Sequence, residues 1–170
     1  MRDVRVLGID PGLTRCGLGA VEGAVGTPLR LIDMGVIRTP ADADLGARLV
    51  AIEQGVEAWL ARTRPDAVAV ERGFGRHNVP TGLGTAQADA VACAARRGVP
   101  VSLHTRGEVK AAITGSGQAD KATVRQVLCR PATPGPTRWP WPSPLGGGPS
   151  GRCGCRGPTL AVLAAPGVRR

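Results

Sequence analysis

Short apolar runs separated by turn residues open the chain. The first run, Val4–Asp10, is rich in β-branched residues and ends at the turn-forming pair Pro11-Gly12. Two similar runs, Cys16–Glu22 and Leu29–Arg38, follow at spacings typical of hairpins. This pattern predicts three strands in an antiparallel meander.

The hydrophobic period lengthens after these runs. Apolar side chains then recur every three or four residues, which places them on one face of a helix. They are Leu45, Leu49, Ile52, Val56 and Leu60. Asp42 and Asp44 precede this stretch, and acidic side chains favour the N-terminal end of a helix. We therefore predict a long helix that begins close to Asp44.

Strands and helices alternate in the second half of the sequence. Two short apolar runs predict strands, Ala67–Glu71 and Val99–His104. Three further segments predict helices, Thr81–Arg97, Glu108–Thr114 and Ala119–Leu128. This order of elements predicts an α/β fold in which a mixed five-stranded sheet is flanked by helices.

The composition changes at residue 129. Residues 129–170 are rich in Pro, Gly and Arg, and closely spaced prolines between Pro134 and Pro144 forbid a helix there. Such a composition is typical of irregular or disordered chain. We predict one folded domain over residues 1–128 and an irregular or disordered tail over residues 129–170.

The formal net charge of +9 is unevenly distributed. Residues 131–170 contribute +5, from five arginines and no acid, and residues 1–130 contribute the remaining +4. Arginine outnumbers lysine twenty to two, as a gene rich in G and C would encode. The charge alone is therefore weak evidence for a nucleic-acid partner.

The sequence shows neither a run of about 18 apolar residues nor a signal-peptide pattern, so we expect a cytoplasmic protein. Its five cysteines are odd in number and irregularly spaced. We predict free thiols rather than disulfides or a zinc site.

Two acidic residues follow apolar runs at the ends of predicted strands, Asp10 after the first strand and Glu71 after the fourth. Either acid alone is explained as a strand-end residue that caps a loop. If the two strands are neighbours, however, both carboxylates converge at one edge of the sheet. Clustered carboxylates repel, and one or two Mg²⁺ ions relieve that repulsion. Because such ions activate water for phosphodiester hydrolysis, Asp10 and Glu71 are the candidate metal ligands and catalytic residues.

Three blocks make this interpretation more specific: LGIDPGLTRCGLGAV, AVERGFGRHNVPTGLGTAQADAV and GEVKAAITGSGQADK. In this order and spacing they resemble the RuvC family of Holliday-junction resolvases. The resemblance implies a ribonuclease-H-like fold, a homodimer, and symmetric cutting of a four-way DNA junction with Mg²⁺ held by four acids. It implies two ions in an intact site, the branch-migration partners RuvA and RuvB, and roles for Asp10 and Glu71 as the first two acids.

The resemblance also implies DNA contacts. It places Phe74 near unpaired bases at the junction centre, where an exposed ring stacks on a base. Core packing is the alternative for this residue, the only Phe of the chain. Lys110 and Lys121, the only lysines, match residues that approach phosphate. Three arginines are expected to add phosphate contacts, namely Arg72, Arg76 and Arg106.

The other two acids of the family lie on a C-terminal helix, and this chain has no acid after Asp120. The stretch Thr137–Pro142 (TRWPWP) suggests the reason. We consider the reading frame in which each codon begins at the third base of the preceding codon. In that frame both Trp-Pro junctions encode Ala without ambiguity, because the last G of TGG is followed by CC. The neighbouring shifted codons allow the sequence Asp-Ala-Leu-Ala-Leu-Ala-Ile. That sequence is of the kind found in the missing helix. A second shifted Asp, from Thr133, fits the spacing less well.

We therefore hypothesise that the reading frame departs from that of the family after about Val124. The alternative is a natural, disordered basic tail. In either case the chain as written supplies half of the four acids. Three other acids are the candidates to replace the missing pair, namely Asp89, Glu108 and Asp120.

The sequence thus predicts a Mg²⁺-dependent crossover junction endodeoxyribonuclease of recombination and repair, impaired by the loss of two acids. The alternatives are a protein that binds junctions without cutting them and a ribonuclease-H-like nuclease that acts on RNA. The motif GIDPG also suggests a sugar-kinase-like nucleotide binder. Such proteins need two lobes, and 170 residues are too few.

Overall fold

A computed structural model describes residues 2–24, 29–72 and 81–128. Five strands are present in this part of the chain: β1 (Val4–Asp10), β2 (Arg15–Gly23), β3 (Arg30–Arg38), β4 (Ala67–Arg72) and β5 (Val101–Thr105). The helices there are α1 (Leu45–Thr63), α2 (Thr81–Arg96), α3 (Arg106–Thr114) and α4 (Lys121–Leu128). The bounds lie within a few residues of those predicted. The predicted tail lies outside the described residues.

The strands form one mixed sheet in the order β3-β2-β1-β4-β5. The meander predicted from the N-terminal runs is confirmed, because β1 pairs antiparallel with β2 and β2 with β3. Strand β4 then lies parallel to β1 on its other side, and β5 lies parallel to β4. This topology brings the C-terminal ends of β1, β4 and β5 to the same edge of the sheet.

The larger hydrophobic core lies between the sheet and helices α1 and α2. Apolar side chains of the two central strands enter it from the sheet, namely Leu7, Ile9, Val68 and Val70. The helices contribute Ile52, Val56, Ala86 and Ala90. These side chains are fully buried. Because side chains alternate along a strand, the next residue after Ile9 and the next after Val70 point to the opposite face.

A smaller hydrophobic cluster occupies that opposite face. It joins Val6, Val21 and Ala69 of the sheet to Val109 of α3. The expected arrangement of helices on both faces of the sheet is therefore confirmed. Helix α3 is the element that packs next to the strand ends on this face, together with α4, which contacts it.

Helix α1 is fixed at both ends and against the sheet. Asp44 caps its N-terminus by accepting hydrogen bonds from the backbone N–H groups of Gly46 and Ala47, as its position in the sequence predicts. The helix ends at Arg64, whose backbone is left-handed. Trp59 packs so closely over β3 that a Cβ placed on Gly35 would lie 2.9 Å from its ring.

Two of the five cysteines fall in the described part of the chain, Cys16 and Cys93, and both are buried free thiols. Burial raises the pKa of Cys16 to about 12, opposed by a hydrogen bond from the Gly12 backbone and assisted by the nearby charge of Asp10. Within the described ranges, no helix has the length and apolarity needed to cross a membrane.

Candidate metal centre and DNA-facing edge

Asp10 and Glu71 lie side by side at the C-terminal ends of adjacent strands. The last paired residues of the parallel β1–β4 ladder are Ile9 and Val70, and the two acids follow directly. Neighbouring strands lie about 4.8 Å apart. Both acids alternate away from the main core and therefore share the face on which α3 packs. Glu71 is buried and Asp10 is half-buried. The structure thus brings the two predicted acids together.

Glu71 is held by an arginine of α3. The Nε of Arg106 donates to Oε1 of Glu71 at 2.7 Å, and the side-chain exposure is 68% for Arg106 against 11% for Glu71. Arg106 is the first residue of α3 and follows the N-cap residue Thr105. Glu108 completes a reciprocal capping box with Thr105, which fixes the start of the helix. This ion pair therefore joins the C-terminal end of β4 to a rigid helix terminus.

His104 lies opposite Glu71 in the β4–β5 ladder. It is buried, and its Nε2 lies 2.9 Å from Oγ of Ser102 on the same strand. That contact is directed back along β5, away from the strand end. His104 therefore has its hydrogen-bonding partner within β5.

The donor set at this edge fits part of a divalent-cation site. Two carboxylates from adjacent strands supply the hard oxygen ligands that Mg²⁺ prefers. Within residues 2–24, 29–72 and 81–128, no group of three or more His, Cys, Asp or Glu side chains is arranged to hold a metal ion. Asp10 and Glu71 thus supply two carboxylates, which are fewer than a complete site needs.

The three acids considered as replacement ligands are not grouped with the pair at the strand ends. Hydrogen bonds from Thr105 hold the pKa of Glu108 below its usual value, as part of the capping box. Asp120 accepts from the backbone N–H of Thr123 at the start of α4, which lowers its pKa. Burial raises the pKa of Asp89 on α2, aided by the charge of Glu53 on α1. None of the three belongs with Asp10 and Glu71.

The residues expected to contact DNA are described in part. Arg72 is exposed at the end of β4, directly after Glu71. Lys110 is half-buried on α3, and Lys121 is exposed at the start of α4. The charge of Lys110 contributes to the lowered pKa of Asp120, so Lys110 lies near the start of α4. Phe74 and Arg76 lie outside the described residues.

A pair of arginines that sequence reasoning did not single out lies at the same edge of the sheet. Arg15 of β2 and Arg38 of β3 are directly opposite in the antiparallel ladder. Arg15 is two residues from Gly17, the partner of Asp10, so both arginines belong to the face that carries the acids. Both are exposed, and neither forms an ion pair with a described residue. Like charges directly opposite are unfavourable, which suits an anionic ligand.

Comparisons of the sequence with known proteins agree with each other. A model of the family described as crossover junction endodeoxyribonuclease RuvC matches residues 6–131. The crossover junction endodeoxyribonuclease RuvC of Streptomyces avermitilis is 67% identical over 129 residues, which cover 75% of this chain and 73% of that protein. The same enzyme of Thermobifida fusca is 65% identical, with 75% and 71% covered.

Solved structures agree in fold. The RuvC of Thermus thermophilus in complex with a Holliday junction substrate is 34% identical, with a TM-score of 0.67, over 74% of this chain and 77% of that one. The yeast mitochondrial Holliday junction resolvase Ydc2 superposes with a TM-score of 0.55 at 11% identity, over 74% of this chain and 63% of that one, which shows a shared fold alone.

Proposed function

Because this chain belongs to the RuvC family of crossover junction endodeoxyribonucleases, we propose that it acts on four-way (Holliday) DNA junctions in recombination and repair. The reaction is hydrolysis of a phosphodiester bond. The observation that carries the proposal is the placement of Asp10 and Glu71 side by side at the ends of β1 and β4.

Asp10 and Glu71 are the proposed catalytic residues and metal ligands. Nucleases of this family depend on divalent metal, and we propose Mg²⁺, with two ions in an intact site. When bound, the cation supplies Lewis-acid activation of water and stabilisation of the departing oxygen. The task of the chain is to hold two carboxylates on adjacent strands, where the sheet fixes their separation and the packed face limits their motion.

We propose that catalysis by this chain is impaired. The family's remaining two acids have no counterpart after Asp120, and no described acid takes their place. A cation held by two carboxylates instead of four is bound more weakly, because each lost ligand removes charge and coordination. Sequencing the gene across codons 120–150 tests the origin of the loss, since a nearby insertion or deletion supports a frame shift and a continuous reading frame contradicts it.

The DNA-facing edge is the edge of the sheet that carries Asp10 and Glu71. We propose that it binds DNA phosphate on both sides of these acids. Arg15 and Arg38 lie toward β3, and Lys110 and Lys121 lie on α3 and α4. Arg72 extends the surface from the end of β4. Phe74 and Arg76, which follow it in the sequence, are proposed DNA contacts as well. Phosphate contacts of this kind position the duplex without reading its sequence.

The remaining features follow from the family. We propose that the protein is a homodimer, because symmetric cuts across a four-way junction require two active sites. We also propose that it works with the branch-migration proteins RuvA and RuvB in the cytoplasm. The dimer is testable by light scattering, for which a single monomeric mass at micromolar concentration is the contrary result.

A competition experiment tests the substrate. Labelled four-way junction is incubated with the chain in Ca²⁺, and equal amounts of unlabelled junction, linear duplex or structured RNA are added. Preferential displacement by the junction supports the proposal. Displacement by RNA favours an RNA nuclease instead. A binding protein that does not cleave is favoured only if the junction also stays uncut in Mg²⁺ after the two missing acids are restored.

A further inference from the structure

The ion pair between Arg106 and Glu71 involves one of the two proposed metal ligands. The Nε of Arg106 donates to Oε1 of Glu71 at 2.7 Å. A guanidinium stays charged at every pH relevant to a protein. While the pair is intact, the charge of Arg106 neutralises that of Glu71. Its Nε–H also occupies Oε1, one of the two carboxylate oxygens that a cation needs.

We propose that Arg106 competes with the divalent cation for Glu71, so that the two bind this carboxylate in alternation. The inference rests on the proposed function, because it takes Asp10 and Glu71 as the ligand pair. With Arg106 in place, the two carboxylates and the guanidinium have a net formal charge of −1 instead of −2. A cation that arrives meets less attraction and a neighbouring positive charge.

The difference in exposure makes this pair reversible. Glu71 is buried, whereas 68% of the Arg106 side chain is in contact with solvent. Arg106 can leave Glu71 by rotating into water, and the arriving cation then supplies the positive charge that the buried carboxylate needs. A cation that binds both carboxylates therefore displaces the guanidinium without disturbing the fold.

The backbone holds Arg106 within reach of Glu71. Thr105 is the cross-strand partner of Arg72, so Arg106 begins directly beyond the end of the β4–β5 ladder. The capping box between Thr105 and Glu108 fixes that point. The start of α3 therefore keeps Arg106 in position to compete with a cation for Glu71. The competition lowers cation affinity most in a chain with two carboxylates rather than four.

Cation affinity measured without DNA tests the proposal. Mn²⁺ is titrated into wild-type protein and into Arg106→Gln, and occupancy is followed by paramagnetic broadening of the amide signals of Asp10 and Glu71. Removal of the guanidinium is expected to tighten Mn²⁺ binding roughly threefold to fivefold. Arg125→Gln is the matched control, because it removes one positive charge from an exposed position of the neighbouring helix α4, and it is expected to leave the affinity unchanged. Equal affinity in wild type and Arg106→Gln, or an equal gain in both variants, overturns the proposal.

Two further variants separate this inference from the proposed function. In a Glu71→Gln background, Arg106→Gln is expected to have no effect on the remaining Mn²⁺ affinity, since its partner is gone. Asp10→Asn is expected to weaken Mn²⁺ binding. If Asp10→Asn binds Mn²⁺ as wild type does, the proposed ligand pair is wrong. If Asp10→Asn weakens binding while Arg106→Gln matches wild type, only the role of Arg106 is wrong. Absence of broadening in every variant contradicts both.

The ion pair itself has a direct signature in the absence of metal. The Nε–Hε signal of Arg106 is expected to be protected from exchange with water in EDTA. Saturating Mg²⁺, which is diamagnetic, is expected to remove that protection. Protection that Mg²⁺ does not change overturns the competition.

Discussion

Asp10 and Glu71 follow the last paired residues of two parallel strands and share one face of the sheet. This relationship does not depend on side-chain conformation, because it is fixed by strand order and by alternation along each strand. It explains how two acids that are 61 positions apart in the sequence come to lie side by side. Two carboxylates are fewer than a complete metal site needs.

The Arg15–Arg38 pair gives a prediction about DNA binding. Arg15→Gln is expected to weaken binding to a four-way junction and to lower the slope of log affinity against log salt by about one, as for one lost phosphate contact. Stability in urea is expected to stay equal or rise, because a like-charge pair is relieved. Gel shifts at several salt concentrations measure the slope.

The matched control for that variant is Arg62→Gln on α1. Arg62 pairs with Asp33 at 2.7 Å and stacks on Trp59, on the other face of the sheet. The substitution Arg62→Gln also removes one positive charge, but at a position far from the proposed DNA-facing edge. Junction binding and its salt slope are therefore expected to stay unchanged. An equal loss of affinity in both variants would mean that net charge, and not position, governs binding.

Close packing of α1 on β3 gives a prediction about stability. Gly35→Ala places a Cβ 2.9 Å from the Trp59 ring, and the resulting strain is expected to cost about 1–3 kcal/mol in the free energy of unfolding. Urea denaturation measures it. Gly84→Ala on α2 is the control, because a Cβ there meets nothing within 4 Å. It is expected to be neutral or to stabilise by up to about 1 kcal/mol. Equal stability of the two variants would contradict the packing described.

The capping box at α3 gives a prediction about pH. Hydrogen bonds from Thr105 hold the pKa of Glu108 below its usual value. A carboxyl with a lowered folded-state pKa stabilises the fold above its unfolded-state pKa, and this contribution is lost as the pH falls through the folded-state pKa. Glu108→Ala is therefore expected to lower the free energy of unfolding by about 1 kcal/mol at pH 7. In acid, its stability is expected to approach that of the wild type. A deficit that is the same at pH 7 and at low pH would contradict the role of the carboxylate.

The sequence is sufficient for the strands and the helices, because each depends on local periodicity and turn residues. It predicts the convergence of Asp10 with Glu71 only on the condition that β1 and β4 are neighbours, which the structure shows. It is not sufficient for the Arg15–Arg38 pair. Counting back from the hairpin would place Arg15 opposite Ile37, and an irregularity between Ala20 and Val21 shifts the register by one residue. Such a bulge has no signal in the local pattern.

The contact of Arg106 with Glu71 is also missed, for a different reason. The sequence pattern places the start of α3 at Glu108, which would leave Arg106 in a loop. The capping box begins the helix at Arg106 instead and directs its side chain to β4. The signal was present in the sequence, since Thr105 followed three residues later by Glu108 is the pattern of a capping box.

The central claim is that Asp10 and Glu71 form half of a metal-dependent nuclease site whose other half is missing from this chain. Cleavage of a synthetic four-way junction in Mg²⁺ tests it most directly, with three proteins compared. They are the chain as written, a restored chain in which a C-terminal helix carrying both missing acids three residues apart replaces residues 129–170, and that restored chain with Asp10→Asn. We predict that only the restored chain cuts the junction. Equal cleavage by the chain as written, or cleavage by the restored chain that survives Asp10→Asn, would contradict the account.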